Sequence, residues 1–194
     1  HRPAAGQIDV AFVCTGGYFD LQNSDSAAVE VLAVPVVHGA MTYQSFIIVP
    51  ADSRARRIED LAGRRFAFTD ELSLTGHLWP EDLARSLGLD PNRFFSSAYF
   101  TRSHDRGVEA VARGFVSGAA VDGNIYADLV AADPSLAKRV RVLSTSGPFG
   151  IPPVVVSTAL PAELRDRLRA AFLSLGSEPT SAALLHAVGI DRFE

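Results

Sequence analysis

Apolar runs of strand length alternate along this chain with helical stretches and with clusters of Gly, Ser, Thr and Asp. Residues 8–14 are such a run, closing on Thr15-Gly16-Gly17-Tyr18, and read as a strand followed by a turn. Ser24 to Ala28 reads as a helix or turn, Val29 to Val37 as a β-branched strand, and Tyr43 to Pro50 as another strand after the loop at His38-Gly39-Ala40. A turn at Asp52-Ser53 and a short helical piece over Ile58-Glu59-Asp60-Leu61 precede a strand at Phe66-Ala67-Phe68. Helical spacing of apolar residues then predicts helices beginning near Trp79, near Asp105, at Asn124, at Pro161 and at about 179, with strands at 97–100, 118–122, 140–144 and 154–157 between them. In the Pro161 helix the expected inner face is Leu164, Leu168, Ala171, Phe172 and Leu175. Regular alternation of strands and helices predicts an α/β fold with mainly parallel sheets.

Polar groups gather where strands end: Thr15 to Tyr18, Tyr43 and Ser45, Ser73 to His77, Ser103 to Asp105, and Asp122 to Asn124. In an open α/β sheet these ends lie along one edge, so such groups can converge on a ligand. The stretch Phe66 to His77 is the most informative, because an apolar strand stops in hydroxyls and a glycine where a helix can begin. Backbone N–H groups at a helix start lack intrahelical partners and, with the helix dipole, form an anion site. Ser73, Thr75 and Gly76 are therefore the candidate oxyanion holders, although a Ser or Thr there also serves as an ordinary helix cap.

Composition narrows the partners. The 194 residues can form one large domain or two lobes, with 47% hydrophobic content and a net charge of −4. No basic tract is present, so a nucleic-acid partner has no electrostatic support, and no run of ~18 apolar residues is available to span a bilayer as a helix. The one cysteine, Cys14, excludes an internal disulfide and a multi-cysteine metal site, and its place in Val10-Ala11-Phe12-Val13 predicts a buried structural thiol. The opening His1-Arg2-Pro3-Ala4-Ala5 does not resemble a native start, so an N-terminal portion is expected to be missing.

In order along the chain, several motifs resemble one family. Gln7-Ile8-Asp9-Val10-Ala11-Phe12 is similar to a G-x-hydrophobic-D-x-x-F strand, Tyr43-Gln44-Ser45 to a Y-x-S element, and Asp60-Leu61-Ala62-Gly63-Arg64 to D-L-x-G-K/R. Phe68-Thr69-Asp70 with Ser73-Leu74-Thr75-Gly76 is similar to an S-x-S-G anion loop, and Ser103-His104-Asp105 with Ala110 to Gly114 to S-H-D…A-V-x-x-G. Ala119-Ala120-Val121-Asp122, Pro152-Pro153 and Gly189-Ile190-Asp191-Arg192-Phe193 complete the set. Together they resemble the substrate-binding proteins of phosphonate, phosphite and phosphate ABC importers, with the type 2 periplasmic-binding-protein fold.

The resemblance implies two α/β lobes, the first (1–44 plus 148–194) incomplete and the second spanning 45–147, with a small oxyanion held in the cleft between them. It implies delivery to the membrane permease of an ABC importer, an extracytoplasmic location, and neither cofactor, metal nor catalysis. By motif position, Ser73 and Thr75 would donate hydroxyl hydrogen bonds, helped by the N–H groups of Thr75, Gly76 and His77. His104 would face the oxyanion as a neutral donor or a partial cation. Tyr43, Tyr18 and Ser45 would line the site, and Asp122 would meet the substituent on phosphorus, or else simply cap a strand end. Leu74 stands where the family has a small or polar residue and removes one possible side-chain donor. A Ser73-His104-Asp triad is conceivable, but the G-x-S-x-G elbow of α/β-hydrolases is missing. The remaining alternatives are a ligand-sensing domain of a regulator with the same fold, and a binding protein for a non-phosphorus small molecule.

Overall fold

The computed structural model describes residues 8–24 and 28–194. The start at His1 to Ala5, Gln7 of the first motif and the middle of the Ser24 to Ala28 stretch lie outside the described residues. In chain order the elements are β1 (Val10–Phe12), α1 (Thr15–Asn23), β2 (Val29–Ala33), β3 (Pro35–Val36), β4 (Thr42–Tyr43), β5 (Ser45–Pro50), β6 (Arg65–Phe68), α2 (Trp79–Ser86), α3 (Pro91–Phe94) and β7 (Ser97–Phe100). They continue with α4 (His104–Ala112), β8 (Gly118–Asp122), α5 (Gly123–Ala132), β9 (Val140–Thr145), β10 (Phe149–Gly150), β11 (Val154–Ser157), α6 (Ala162–Ser174), α7 (Pro179–Ala187) and β12 (Arg192–Phe193). The chain divides into two units, His1–Thr42 with Gly150–Glu194, and Tyr43–Phe149. The strands that carry it from one to the other, β4 and β10, pair with each other.

In the first unit β11 lies between β1 and β2, antiparallel to both, and β12 pairs with β3. The expected strand over 29–37 is broken in two. Pro35 has no N–H to give to a ladder, so β2 stops at Ala33 and the chain turns to meet β12. Leu32, Ala33, Val154, Val156, Leu185 and Phe193 form the core, with Leu168 and Phe172 of α6 packed on it. Only these two of the five expected inner-face residues belong to that core; Leu164 and Leu175 are exposed at its margins. Arg169 of α6 covers the edge of β2, its guanidinium donating to the carbonyls of Leu32 at 3.2 Å and Val31 at 3.3 Å.

Thr15-Gly16-Gly17 is the first turn of α1 and not a free turn. Cys14 caps this helix, its sulfur accepting from the Gly17 N–H at 3.3 Å, and that position leaves the thiol exposed instead of buried.

The second unit is a five-stranded sheet in the order β7-β6-β8-β5-β9. Alternate residues face opposite sides, so Ile47, Val49, Phe66 and Phe68 enter one core with Phe94 and Phe95, whereas Ile48, Ala67, Ala119 and Val121 enter the other with Val108 and Val111. Both faces are covered, which explains why these strands read as continuous apolar runs. In this sheet β6 pairs parallel with β7 and with β8, while β5 runs antiparallel to both β8 and β9. The α/β class stands, but the expectation of mainly parallel sheets does not. The reason is that β5 enters the sheet from the other unit, at the end where β6 and β8 leave it.

Candidate functional site

The carboxyl ends of β6 and β8 and the amino end of β5 meet at one edge of the second unit's sheet, with Ser45 opposite Asp122 in register. Three helical segments begin there, at Leu74, His104 and Gly123. Beyond β6, the loop is closed by the Thr69 N–H bonding to the Gly76 carbonyl at 3.0 Å. Ser73 caps a wide, π-wound turn, Leu74–Leu78, that runs directly into α2.

Within that turn the N–H groups divide into engaged and free. Gly76 donates to Ser73 Oγ at 3.0 Å and His77 to the Ser73 carbonyl at 3.1 Å, so neither serves as an open donor, contrary to what the motif implied. Acting as acceptor for Gly76 leaves the Ser73 hydroxyl its own hydrogen to donate. Thr75 is different. It is 1% exposed, its carbonyl accepts from Ser45 Oγ at 2.5 Å, yet among the described residues its N–H and its hydroxyl have no protein partner. Gly76 is required by close approach: a Cβ there would stand 2.5 Å from Cβ and Oγ1 of Thr69 and 2.9 Å from Ser73 Oγ.

His104 opens α4, and its Nδ1 accepts the Asp122 N–H at 3.0 Å, with Thr69 Oγ1 also 3.0 Å away. A ring nitrogen that accepts an N–H carries no proton, so the neutral ring keeps its hydrogen on Nε2. Burial pulls the His104 pKa down to about 4, against the opposing charge of Asp105. The residue is thus a neutral Nε2–H donor and not a partial cation. Among the described residues no carboxylate is hydrogen-bonded to the ring, whose Nδ1 meets Thr69 and the Asp122 N–H.

Asp122 caps α5, its Oδ1 accepting the N–H groups of Asn124 at 2.8 Å and Ile125 at 3.3 Å. Burial raises its pKa, opposed by those two bonds. The capping role allowed for in the sequence is therefore present. The structure brings Ser45, Ser73, Thr75, Gly76, His104 and Asp122 into one network. Tyr43 is buried on β4, two residues before Ser45, while Tyr18 lies on α1 in the first unit. Two participants were not among the candidate site residues, although Thr69 stood in the Phe68-Thr69-Asp70 motif. Ser146 Oγ accepts the Ser45 N–H at 2.8 Å, and Thr69 joins the loop to His104. The available signal for Thr69 was its place as the first polar residue after a buried strand.

Among the described residues no cluster of His, Cys, Asp and Glu could hold a metal, and no helix is long and apolar enough to cross a membrane. Residues 2–194 match the family model described as ABC transporter, phosphonate, periplasmic substrate-binding protein. A Pseudomonas aeruginosa structure, described as a binding protein component of an ABC phosphonate transporter, superposes with a TM-score of 0.86 at 24% identity, over 97% of this chain and 64% of that one. PhnD1 from Prochlorococcus marinus in complex with methylphosphonate gives a TM-score of 0.82 at 18% identity, over 96% and 72% of the two chains. A Xanthomonas citri protein bound to ATP gives 0.81 at 20%, over 97% and 72%. At these identities the likeness is one of fold, and this chain spans less than two thirds of the Pseudomonas protein's length.

Proposed function

The chain belongs to the family of ABC-transporter phosphonate periplasmic substrate-binding proteins, and from that premise we propose that it binds a phosphonate, phosphite or phosphate-type oxyanion at the sheet edge just described. The observation that carries the reading is Thr75, a residue 1% exposed whose N–H and hydroxyl are left unengaged at the start of a helical segment. The Ser73 hydroxyl and His104 Nε2–H add two neutral donors beside it. Hydrogen bonds from such groups to an ionised oxygen are roughly twice as strong as neutral ones. Tyr43, Ser45 and Asp122 complete the proposed lining, and Tyr18 is added on motif resemblance alone. The proposed role is capture outside the cytoplasm and delivery to a membrane permease, with no covalent step.

Calorimetric titration of the full-length gene product with methylphosphonate, phosphite and phosphate tests the proposal. Binding of at least one, lost in the Ser73→Ala, Thr75→Ala double variant, is the expected result. Undiminished binding by that variant would show the loop to be misassigned. Bound ligand stabilises the fold by about 2.7 kcal/mol at a hundredfold excess over Kd.

A further inference from the structure

Thr69 stands one position beyond β6, is 5% exposed, and has every polar group engaged with a different part of the site. Its N–H donates to the Gly76 carbonyl at 3.0 Å, and its own carbonyl accepts the Arg102 N–H at 2.8 Å. Arg102 has φ 62, in the left-handed region that turns the chain from β7 into α4. The Thr69 hydroxyl lies 3.0 Å from His104 Nδ1 and 3.2 Å from the Ala120 carbonyl of β8. Its Cβ fills the space that a side chain on Gly76 would need. One residue therefore touches the 73–76 loop, the chain entering α4, the His104 ring and β8.

We propose that Thr69 is a positioning residue of the oxyanion site, holding the His104 imidazole in register with the 73–76 loop so that Nε2–H and the loop donors reach the same oxyanion. The inference rests on the functional reading above. The Asp122 N–H decides which ring nitrogen is protonated, and Thr69 fixes where the ring lies. A hydroxyl has one hydrogen, and both of its neighbours here, Nδ1 and the Ala120 carbonyl, are acceptors. The bond that ties the ring to the end of β6 is the one in which the hydroxyl gives this hydrogen to Nδ1, beside the Asp122 N–H, with the Ala120 carbonyl as the competing acceptor. The backbone bond to Gly76 sets the loop from the same residue. A displacement of the donors by about 1 Å is the scale on which positioning losses of a hundredfold arise.

Thr69→Val keeps the shape and removes the hydroxyl, whereas Thr69→Ser keeps the hydroxyl. Calorimetry with methylphosphonate, phosphite and phosphate should show affinity falling about tenfold or more in Thr69→Val and staying within threefold in Thr69→Ser. In parallel, nitrogen-15 spectra of His104 without ligand should show a single Nε2–H form in the wild type and in Thr69→Ser. Thr69→Val should show a second or exchange-broadened ring signal. Thermal unfolding identifies any variant that fails to fold, and the serine variant then decides. Affinity of Thr69→Val within twofold of wild type, or an unchanged His104 spectrum, overturns the proposal. If the wild type binds none of the three anions the functional reading fails, while the spectra still test whether Thr69 holds the ring.

Discussion

The Asp122 N–H meets His104 Nδ1 at 3.0 Å, and because an N–H can only donate, the histidine must present a lone pair there. Protonating His104 on Nδ1 would break this bond in a site where burial already opposes the charge. With a folded pKa of about 4, against ~6.5 for an unperturbed histidine, the unfolded chain binds the proton first as pH falls. Stability is therefore lost as pH drops from about 6.5 towards 4, by an amount on the order of a few kcal/mol, and this group adds no further loss below that. The raised pKa of Asp122 works the other way, since its folded form takes up a proton before the unfolded one. Urea unfolding between pH 7 and pH 4.5 should show His104→Gln losing less stability than the wild type. Parallel curves would mean that the ring is not buried as a neutral donor.

Gly76→Ala drives a methyl group to within 2.5 Å of Thr69 and 2.9 Å of Ser73 Oγ. Overpacking of this kind costs about 1–3 kcal/mol. Because the clash falls on both sides of the proposed anion loop, oxyanion affinity should drop as well. Gly147→Ala, where nothing lies within 4 Å of the added Cβ, is the matched control and should leave both quantities close to wild type. Denaturant unfolding and calorimetry on the pair check this expectation.

Arg169→Ala uncovers the carbonyls of Val31 and Leu32 on the edge of β2. Hydrogen bonds from a charged donor contribute about 1.5–3 kcal/mol, less where the group is part-exposed as here, so a loss near the lower figure is expected. An uncovered edge also invites strand pairing between molecules. Arg169→Ala should therefore aggregate at lower temperature than Arg167→Ala, a change at an exposed residue of the same helix. Light scattering during a thermal ramp compares the two. Equal onset temperatures would show that the β2 edge is protected by other means.

Much of the second unit was legible because its residues obey one period. Ile47, Ile48 and Val49 announce a strand buried on both faces, and Ser73 before Leu74 announces a helix start. What escaped notice depends on partners distant in sequence. Nothing in Val29 to Val37 shows that Glu194 and Arg192 will pair with the second half of it, so the break at Pro35 read as one strand. Gly16-Gly17 looked like a turn because glycine is a poor helix former, and the Cys14 cap that starts α1 has weak sequence signal. Antiparallel β5 reflects the direction of a crossing, which periodicity does not encode. In the site, hydroxyls and glycine marked the loop, but which N–H groups stayed open depended on the π-wound turn. Thr69 could be placed at a strand end from the sequence, but not given its contacts, which come from Gly76, Arg102, His104 and Ala120 together.

The pairing of β4 with β10 gives the second unit the anatomy of a cassette. Tyr43 to Phe149 is one uninterrupted run, so a single recombination event with breakpoints at these two strands would exchange Thr69, Ser73, Thr75, His104 and Asp122 as a block. Every candidate contact proposed above except Tyr18 would therefore travel together, without any alteration to the strands of the first unit.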